Sequence, residues 1–256
     1  MMRLNLVTAT TVAVALVALT AAPAVGVADG TYAQPGQDPF AVKLTMTHIP
    51  RTDGTFYDSA CSAALVSPTW IITAGHCFHD INRNPVSGAV PYPTTATLNT
   101  TDLAISPGES RAVVSVRQAS GSDVALAQLS APVTDVTPLA LSSARPVKGA
   151  VLTLAGWGAT SSLNPVPSTR LILGQVKISA VKPSIVSVVG YAPAKDTSAC
   201  LYDSGAPYFS TPSGSRALLV SIESDGPACP HTSAETTSRV DTLVTWVRSV
   251  VLDLPT

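Results

Sequence analysis

Three short stretches of this chain carry the residue types that nucleophilic catalysis needs. The first, Cys200-Leu201-Tyr202-Asp203-Ser204-Gly205-Ala206-Pro207, sets a serine in a tight turn between an aspartate and a glycine. A serine hydroxyl attacks a carbonyl only when a base takes its proton and a third group holds that base. Of the four histidines, His48, His76, His79 and His231, His76 has the setting for the base. The run Trp70-Ile71-Ile72-Thr73 leads into Ala74-Gly75-His76-Cys77, so a strand would deliver the imidazole to a surface. The third stretch, Gly121-Ser122-Asp123-Val124-Ala125-Leu126-Ala127-Gln128-Leu129, places an aspartate at the mouth of an alternating strand. A carboxylate entering a buried strand is costly unless hydrogen-bonded, and an imidazolium would supply that bond. Taken singly, the His76 and Asp123 stretches also have structural readings: a histidine pinned beside a cysteine, and an aspartate that merely caps a turn.

The elements that must hold these residues read as strands. Phe40-Ala41-Val42-Lys43-Leu44, Ala112-Val113-Val114-Ser115-Val116, Leu171-Ile172-Leu173 and Ala217-Leu218-Leu219-Val220 are short apolar runs set between Gly, Pro, Ser and Asp. Runs of that length, rich in β-branched residues, argue for many short strands, and 21 prolines suit loops better than helix interiors. The C-terminal stretch differs. Val240, Leu243, Val244, Val247, Val250 and Val251 recur at steps of three and four, which predicts an amphipathic helix capped by Ser238 with Asp241 in its first turn. No internal repeat or heptad pattern is present.

Charged residues make up only 12% of the 256 residues and the net charge is -1, against about 25% charged in ordinary soluble domains. Such a surface offers a phosphate backbone little attraction, which argues against nucleic acid. Residues 1–26 read as a secretory signal peptide: Arg3, an apolar stretch, then Ala24-Val25-Gly26 as a small-residue cleavage site. The competing reading is a membrane anchor, because no charge falls between Arg3 and Asp29; Asn5, Thr8, Thr10 and Thr11 dilute its apolar character. Four cysteines in an exported chain suggest two disulfides.

Taken together, the three stretches resemble the chymotrypsin/trypsin-like serine protease family, whose chain order is that of His76, Asp123 and Ser204. Val27-Ala28-Asp29-Gly30-Thr31, Cys61-Ser62-Ala63-Ala64-Leu65-Val66, Gly156-Trp157-Gly158, Ser221 and the terminal helix also fall in the family's order. The resemblance covers nearly all of residues 27–253. It implies an all-β fold: two antiparallel six-stranded β-barrels over residues 27–256, divided near 135–150, with a C-terminal α-helix. His76 would be the general base, Asp123 its orienter and Ser204 the nucleophile, with the Tyr202 and Ser204 amides as oxyanion donors. Ser221 would hold the Asp123 carboxylate, and Cys61–Cys77 and Cys200–Cys229 would be the bridges. The absence of the family's further bridges points to a lean bacterial-type member.

The resemblance also implies a switch: Asp203 would pair with a new α-ammonium at Val27, exposed when the signal is removed. Tyr202 departs from the family, which carries glycine there, so the enzyme would be hampered. The specificity pocket would be built from Ser198, Ser221, Ile222, Glu223 and Glu235, with Thr236 as the alternative to Glu235. Either the glutamates make it shallow and favour small apolar residues, or a carboxylate accepts Lys or Arg, or both point to solvent. The implied protein is a secreted, extracellular monomer that acts on polypeptides, needs no metal or organic cofactor, and keeps no membrane association after cleavage. The rival is a silent, protease-like binding protein.

Overall fold

Alternation in the apolar runs becomes strand pairing in the structure, a computed structural model that describes residues 27–213 and 216–254. The expected signal peptide and its cleavage point lie outside the described residues, up to Val27. In chain order the strands begin with β1 (Thr31–Tyr32), β2 (Ala41–Pro50), β3 (Phe56–Ser67), β4 (Trp70–Thr73), β5 (Gly88–Ala89), β6 (Thr94–Leu98), β7 (Glu109–Gln118) and β8 (Ala125–Leu129). They continue with β9 (Ala140–Leu141), β10 (Val151–Gly156), β11 (Ile172–Val181), β12 (Ile185–Ala192), β13 (Pro207–Ser210), β14 (Leu218–Asp225) and β15 (Glu235–Arg239). One α-helix, α1 (Val244–Val250), follows.

The strands close into two rings. The order β7-β6-β2-β3-β4-β8 is completed by pairing of β7 with β8, giving six antiparallel strands, with β5 added beside β7. The order β11-β10-β13-β14-β15-β12 is completed by β11 with β12, a second six-stranded barrel, with β1 on β11 and β9 parallel to β14. This is the architecture the resemblance implies, and closure removes the open edges that a flat sheet would leave. Leu44, Leu65, Ile71, Ile72, Leu98 and Leu126 are completely buried in the first barrel's strands, and each such side chain contributes roughly 1.5–3 kcal/mol. Leu154, Ile172, Val176, Val186 and Val188 do the same in the second.

The register of β4 on β8 decides where the chemistry sits. Thr73 lies opposite Ala125 and Ile72 opposite Leu126. The turn that leaves β4 and the turn that enters β8 therefore share one end of the barrel, which places His76 beside Asp123.

The helix is shorter than its periodicity predicts. Val240, Leu243, Val247 and Val251 are buried, as the pattern requires, while Val244 and Val250 are half-buried. Ser238 is not its cap: it lies in β15, opposite both Ile185 and Ile222. The two-sided β ladder holds Ser238 and Arg239 extended. Asp241 binds the buried Arg239 guanidinium at 2.6 Å rather than the helix's first turn. Leu243 occupies the N-cap position, with no side-chain cap.

Candidate active site

His76 sits in a single 3-10 turn, Gly75–Cys77, that leaves β4. Gln118 pins this turn by donating to the carbonyls of Gly75 (2.9 Å) and Phe78 (3.2 Å). Asp123 meets His76 twice: Oδ2 lies 2.8 Å from Nδ1, and Oδ1 accepts the His76 backbone N–H at 2.8 Å. With an ionised carboxylate as its partner, Nδ1 carries the proton and Nε2 keeps its lone pair toward the cleft. Burial pushes the Asp123 carboxyl up, but the hydrogen bonds and charge of His76 and the Ser224 hydroxyl outweigh it and leave it below the ordinary carboxylate value.

Ser224 was missed in the sequence. Its hydroxyl donates to Asp123 Oδ2 at 2.6 Å, the role expected of Ser221. Ser221 is instead fully buried, and its Oγ has no hydrogen-bond partner. The reason is register: β14 pairs Pro207 with Ile222 and Tyr208 with Ser221, so Ser224 is the serine at the strand end facing Asp123. The available signal was Ser224-Asp225-Gly226, a second serine close to a glycine where the strand must end.

Ser204 is held from both barrels. Its carbonyl accepts the Ser62 N–H of β3 at 2.9 Å, while Gly205 N–H donates to the Glu223 carbonyl at 2.9 Å. Gly205 has φ +86°, and a Cβ there would overlap Thr73 Oγ1 and the Ser62 carbonyl, so only glycine lets the turn press this close to β4. Among the described residues no hydrogen bond joins Ser204 Oγ to His76. Both line one cleft of about 290 Å³, together with Leu201, Tyr202 and the Cys61–Cys77 bridge. Catalytic hydrogen bonds are often loose before substrate arrives.

Tyr202 has φ +74°, left-handed backbone that a bulky residue rarely takes and that costs roughly 1–3 kcal/mol. Its carbonyl accepts the Ser62 hydroxyl at 3.2 Å, and that hydroxyl's oxygen accepts the Trp157 N–H at 3.0 Å. Among the described residues, neither the Tyr202 nor the Ser204 N–H is spent on a protein acceptor. Asp203 is fully buried beneath them and accepts N–H groups from Gly158 (2.8 Å) and Cys200 (3.0 Å). Burial outweighs those bonds and pushes its carboxyl up to about 7. Val27 is also fully buried, and both it and the Asp203 carboxyl crowd Gly156: a Cβ there would overlap Asp203 and lie 3.3 Å from Val27 Cγ2. Ala28 pairs with Ser198.

A second cavity, of about 160 Å³, also reaches Ser204 and is lined by Ala199, Glu223, Ser224, Asp225 and Gly226. Ser198 is buried, with its hydroxyl taken by the His231 N–H at 3.3 Å, and Ile222 is fully buried; neither lines this cavity. Glu223 and Glu235 do not point to solvent, being only 4% and 2% exposed. The Tyr208 hydroxyl stands between them, 2.8 Å from Glu223 Oε2 and 2.6 Å from Glu235 Oε2. A phenol has one proton, so it donates to one carboxylate and accepts from the other as a carboxylic acid. Burial, and then the Glu235 charge, holds the Glu223 carboxyl well above its usual range; burial pushes Glu235 up to about 7. Glu235 Oε1 also accepts the Ala199 N–H at 2.5 Å.

Both disulfides form, Cys61–Cys77 and Cys200–Cys229, with Cα–Cα distances of 6.4 and 5.3 Å. Among the described residues no cluster of three His, Cys, Asp or Glu is arranged to hold a metal, and no helix is long and apolar enough to cross a membrane.

A family model described as Trypsin matches residues 27–247. The chain is 30% identical over 181 residues to chymotrypsin-like elastase family member 3A of Homo sapiens, covering 60% of this chain and 63% of that protein. It is 29% identical over 228 residues to serine protease 56 of Mus musculus, covering 78% of this chain but 34% of the relative. It is 27% identical over 217 residues to trypsin alpha-4 of Lucilia cuprina, covering 74% of this chain and 77% of that one. Among solved structures it superposes on neuropsin, a serine protease expressed in the limbic system of mouse brain, with a TM-score of 0.67 and 19% identity over 87% of this chain and 98% of the other. These relatives are animal proteins, so the bacterial character read from the missing bridges finds no support in them.

Proposed function

Because this chain belongs to the trypsin family, whose model spans residues 27–247, we propose that it is a secreted serine endopeptidase working through an acyl-enzyme at Ser204. The observation that carries the proposal is the double hold of Asp123 on His76, at Nδ1 and at the backbone N–H. That hold fixes the tautomer and leaves Nε2 free in the cleft that Ser204 lines. Ser204 Oγ attacks the peptide carbonyl as its proton passes to His76 Nε2, and Asp123 stabilises the resulting imidazolium. The oxyanion forms against the Tyr202 and Ser204 N–H groups. His76 returns the proton to the departing amine, then activates water to release the acyl group.

The acyl-side cavity is acidic. Glu223 and Asp225 line it, and the Tyr208 hydroxyl links the Glu223 carboxyl to that of Glu235. This favours a Lys or Arg side chain before the scissile bond over a small apolar one. Buried Val27 beside Asp203 supports processing after Gly26, and the two disulfides fit an oxidising, extracellular compartment. Polypeptide is the substrate, and the chemistry draws on side chains and backbone alone.

The rival, a silent binding protein, draws its support from Tyr202 in left-handed backbone. A fluorophosphonate that labels activated serines separates the two. Wild-type protein beginning at Val27 is expected to label and Ser204→Ala to stay unlabelled; absence of label in the correctly processed protein supports the silent reading.

A further inference from the structure

Ser204 and Leu201 line both cavities, and among the described residues they alone do. A peptide crossing Ser204 lies in one cavity before its scissile bond and in the other after it. His76 lines the first cavity and not the second. Since the general acid must reach the departing amine, the His76 side receives the residues that follow the cut.

Among the described residues, Arg83 is the one Lys, Arg, Asp or Glu lining this leaving-side cavity, and no carboxylate lies within 4.0 Å of its guanidinium. It is nevertheless held in place. Its Nη1 lies 3.1 Å from His79 Nε2 and its guanidinium 5.5 Å from the Tyr57 ring centroid. His79 is only 6% exposed, and its Nδ1 donates to the Asp80 carbonyl at 2.7 Å. The Nε2 lone pair must therefore face outward, where it accepts from Arg83 and faces the Tyr57 hydroxyl at 3.4 Å. Arg83 itself has φ +67°, an unfavourable backbone for a long side chain, and its N–H closes a turn onto the Asp80 carbonyl at 3.0 Å. Beyond Tyr57, Arg51 stacks on the ring at 4.6 Å and donates to the Phe56 carbonyl at 3.2 Å. The nearby Asp53 is committed to Thr55 at 2.7 and 2.9 Å. A cation is thus fixed and unneutralised at the edge of the cleft, with a second behind it.

We propose that Arg83, positioned by His79 and Tyr57, forms a subsite that selects substrates carrying a carboxylate side chain in the first few residues after the scissile bond. This rests on the endopeptidase reading for its direction along the peptide. A guanidinium fork accepts a carboxylate with two parallel hydrogen bonds, and a partner of opposite charge is what the cavity's own residues lack.

The test uses Ser204→Ala protein beginning at Val27, which binds without turnover. Two peptides are titrated, identical up to and including a lysine, then carrying Asp-Glu in one and Asn-Gln in the other. The acidic peptide is expected to bind on the order of three- to tenfold tighter at low salt, an advantage that shrinks at high ionic strength. Adding Arg83→Ala should abolish the difference, and adding Arg83→Glu should shift preference to a Lys-Lys peptide. Arg83 is exposed, so these changes leave the core intact. Equal binding of the two peptides, or a preference that survives Arg83→Ala, overturns the subsite. Fluorophosphonate labelling of the wild type reports separately on the enzyme: protein that labels without discriminating refutes the subsite alone, and protein that discriminates without labelling refutes the enzyme alone.

Discussion

Tyr202 concentrates a trade between backbone and chemistry in one residue. Its φ of +74° is that of a position built for glycine, and the Ser62 hydroxyl holds its carbonyl. Tyr202→Gly should relieve roughly 1–3 kcal/mol of strain, less the entropy glycine adds to the unfolded chain. Removing the ring from the leaving-side cavity and easing the donor into line should also raise the acylation rate. An oxyanion donor is worth roughly 2.7–4 kcal/mol when fully engaged, so a gain of about tenfold or more is expected in the burst phase with an activated ester. A burst that stays level or slows shows that tyrosine does not hamper the site. At the same scale, Glu223→Gln removes one carboxyl of the Tyr208-linked acid pair from the lining of the acyl-side cavity. It should lower kcat/KM for lysine-containing substrates about tenfold or more while leaving substrates with a small apolar residue there nearly unaffected. Equal losses on both substrate types would mean that Glu223 only supports the Ser204 turn through its backbone.

At the level of elements, the strand registers do the positioning. Thr73 opposite Ala125 brings the His76 and Asp123 turns together, and Pro207 opposite Ile222 brings Ser224 to the carboxylate. Ser224→Ala should therefore cost activity through Asp123, with a bond to a charged acceptor worth roughly 1.5–3 kcal/mol. The expected signature is a fall in kcat with little change in KM, whereas Ser221→Ala should leave both unchanged within twofold. Comparable losses at the two serines would undo this placement. The same registers explain what was legible in the chain. His76, Asp123 and Ser204 each stand in a local turn whose composition announces it, and the strand runs alternate visibly, so the barrels could be read. Ser224 could not, because its place depends on pairing across β13 and β14 through a bulge between Tyr208 and Phe209. The acid pair escaped for a similar reason: glutamates are ordinarily exposed, and the phenol that links them comes from another strand. The start of α1 was misplaced because β15 pairs on both sides and holds Ser238 extended.

For the whole molecule, the proposed pairing of a Val27 terminus with Asp203 makes a prediction about stability. Asp203 is buried with its carboxyl pushed up to about 7, from an ordinary value of 3.8, by burial first and foremost. Its folded value is raised, so the stability it contributes is fully present in acid, below the unfolded value, and is lost as pH rises from about 4 through 7. For a group this buried the loss is on the order of 4 kcal/mol. Protein that still carries Gly26 should lose stability over that interval. In protein beginning at Val27, the α-ammonium we propose to pair with Asp203 would hold the carboxylate ionised and offset the loss. Glu223 and Glu235 are raised in the same direction, but they lie in both forms and cancel in the comparison. Urea unfolding of the two forms at several pH values should therefore give curves that diverge between about pH 4 and 7, with the processed form flatter, and Asp203→Asn should bring them together. Parallel curves, or divergence that persists in Asp203→Asn, would mean that the new terminus does not reach Asp203. The nucleophile turn would then be shaped without it, and removal of the leader would have no bearing on activity.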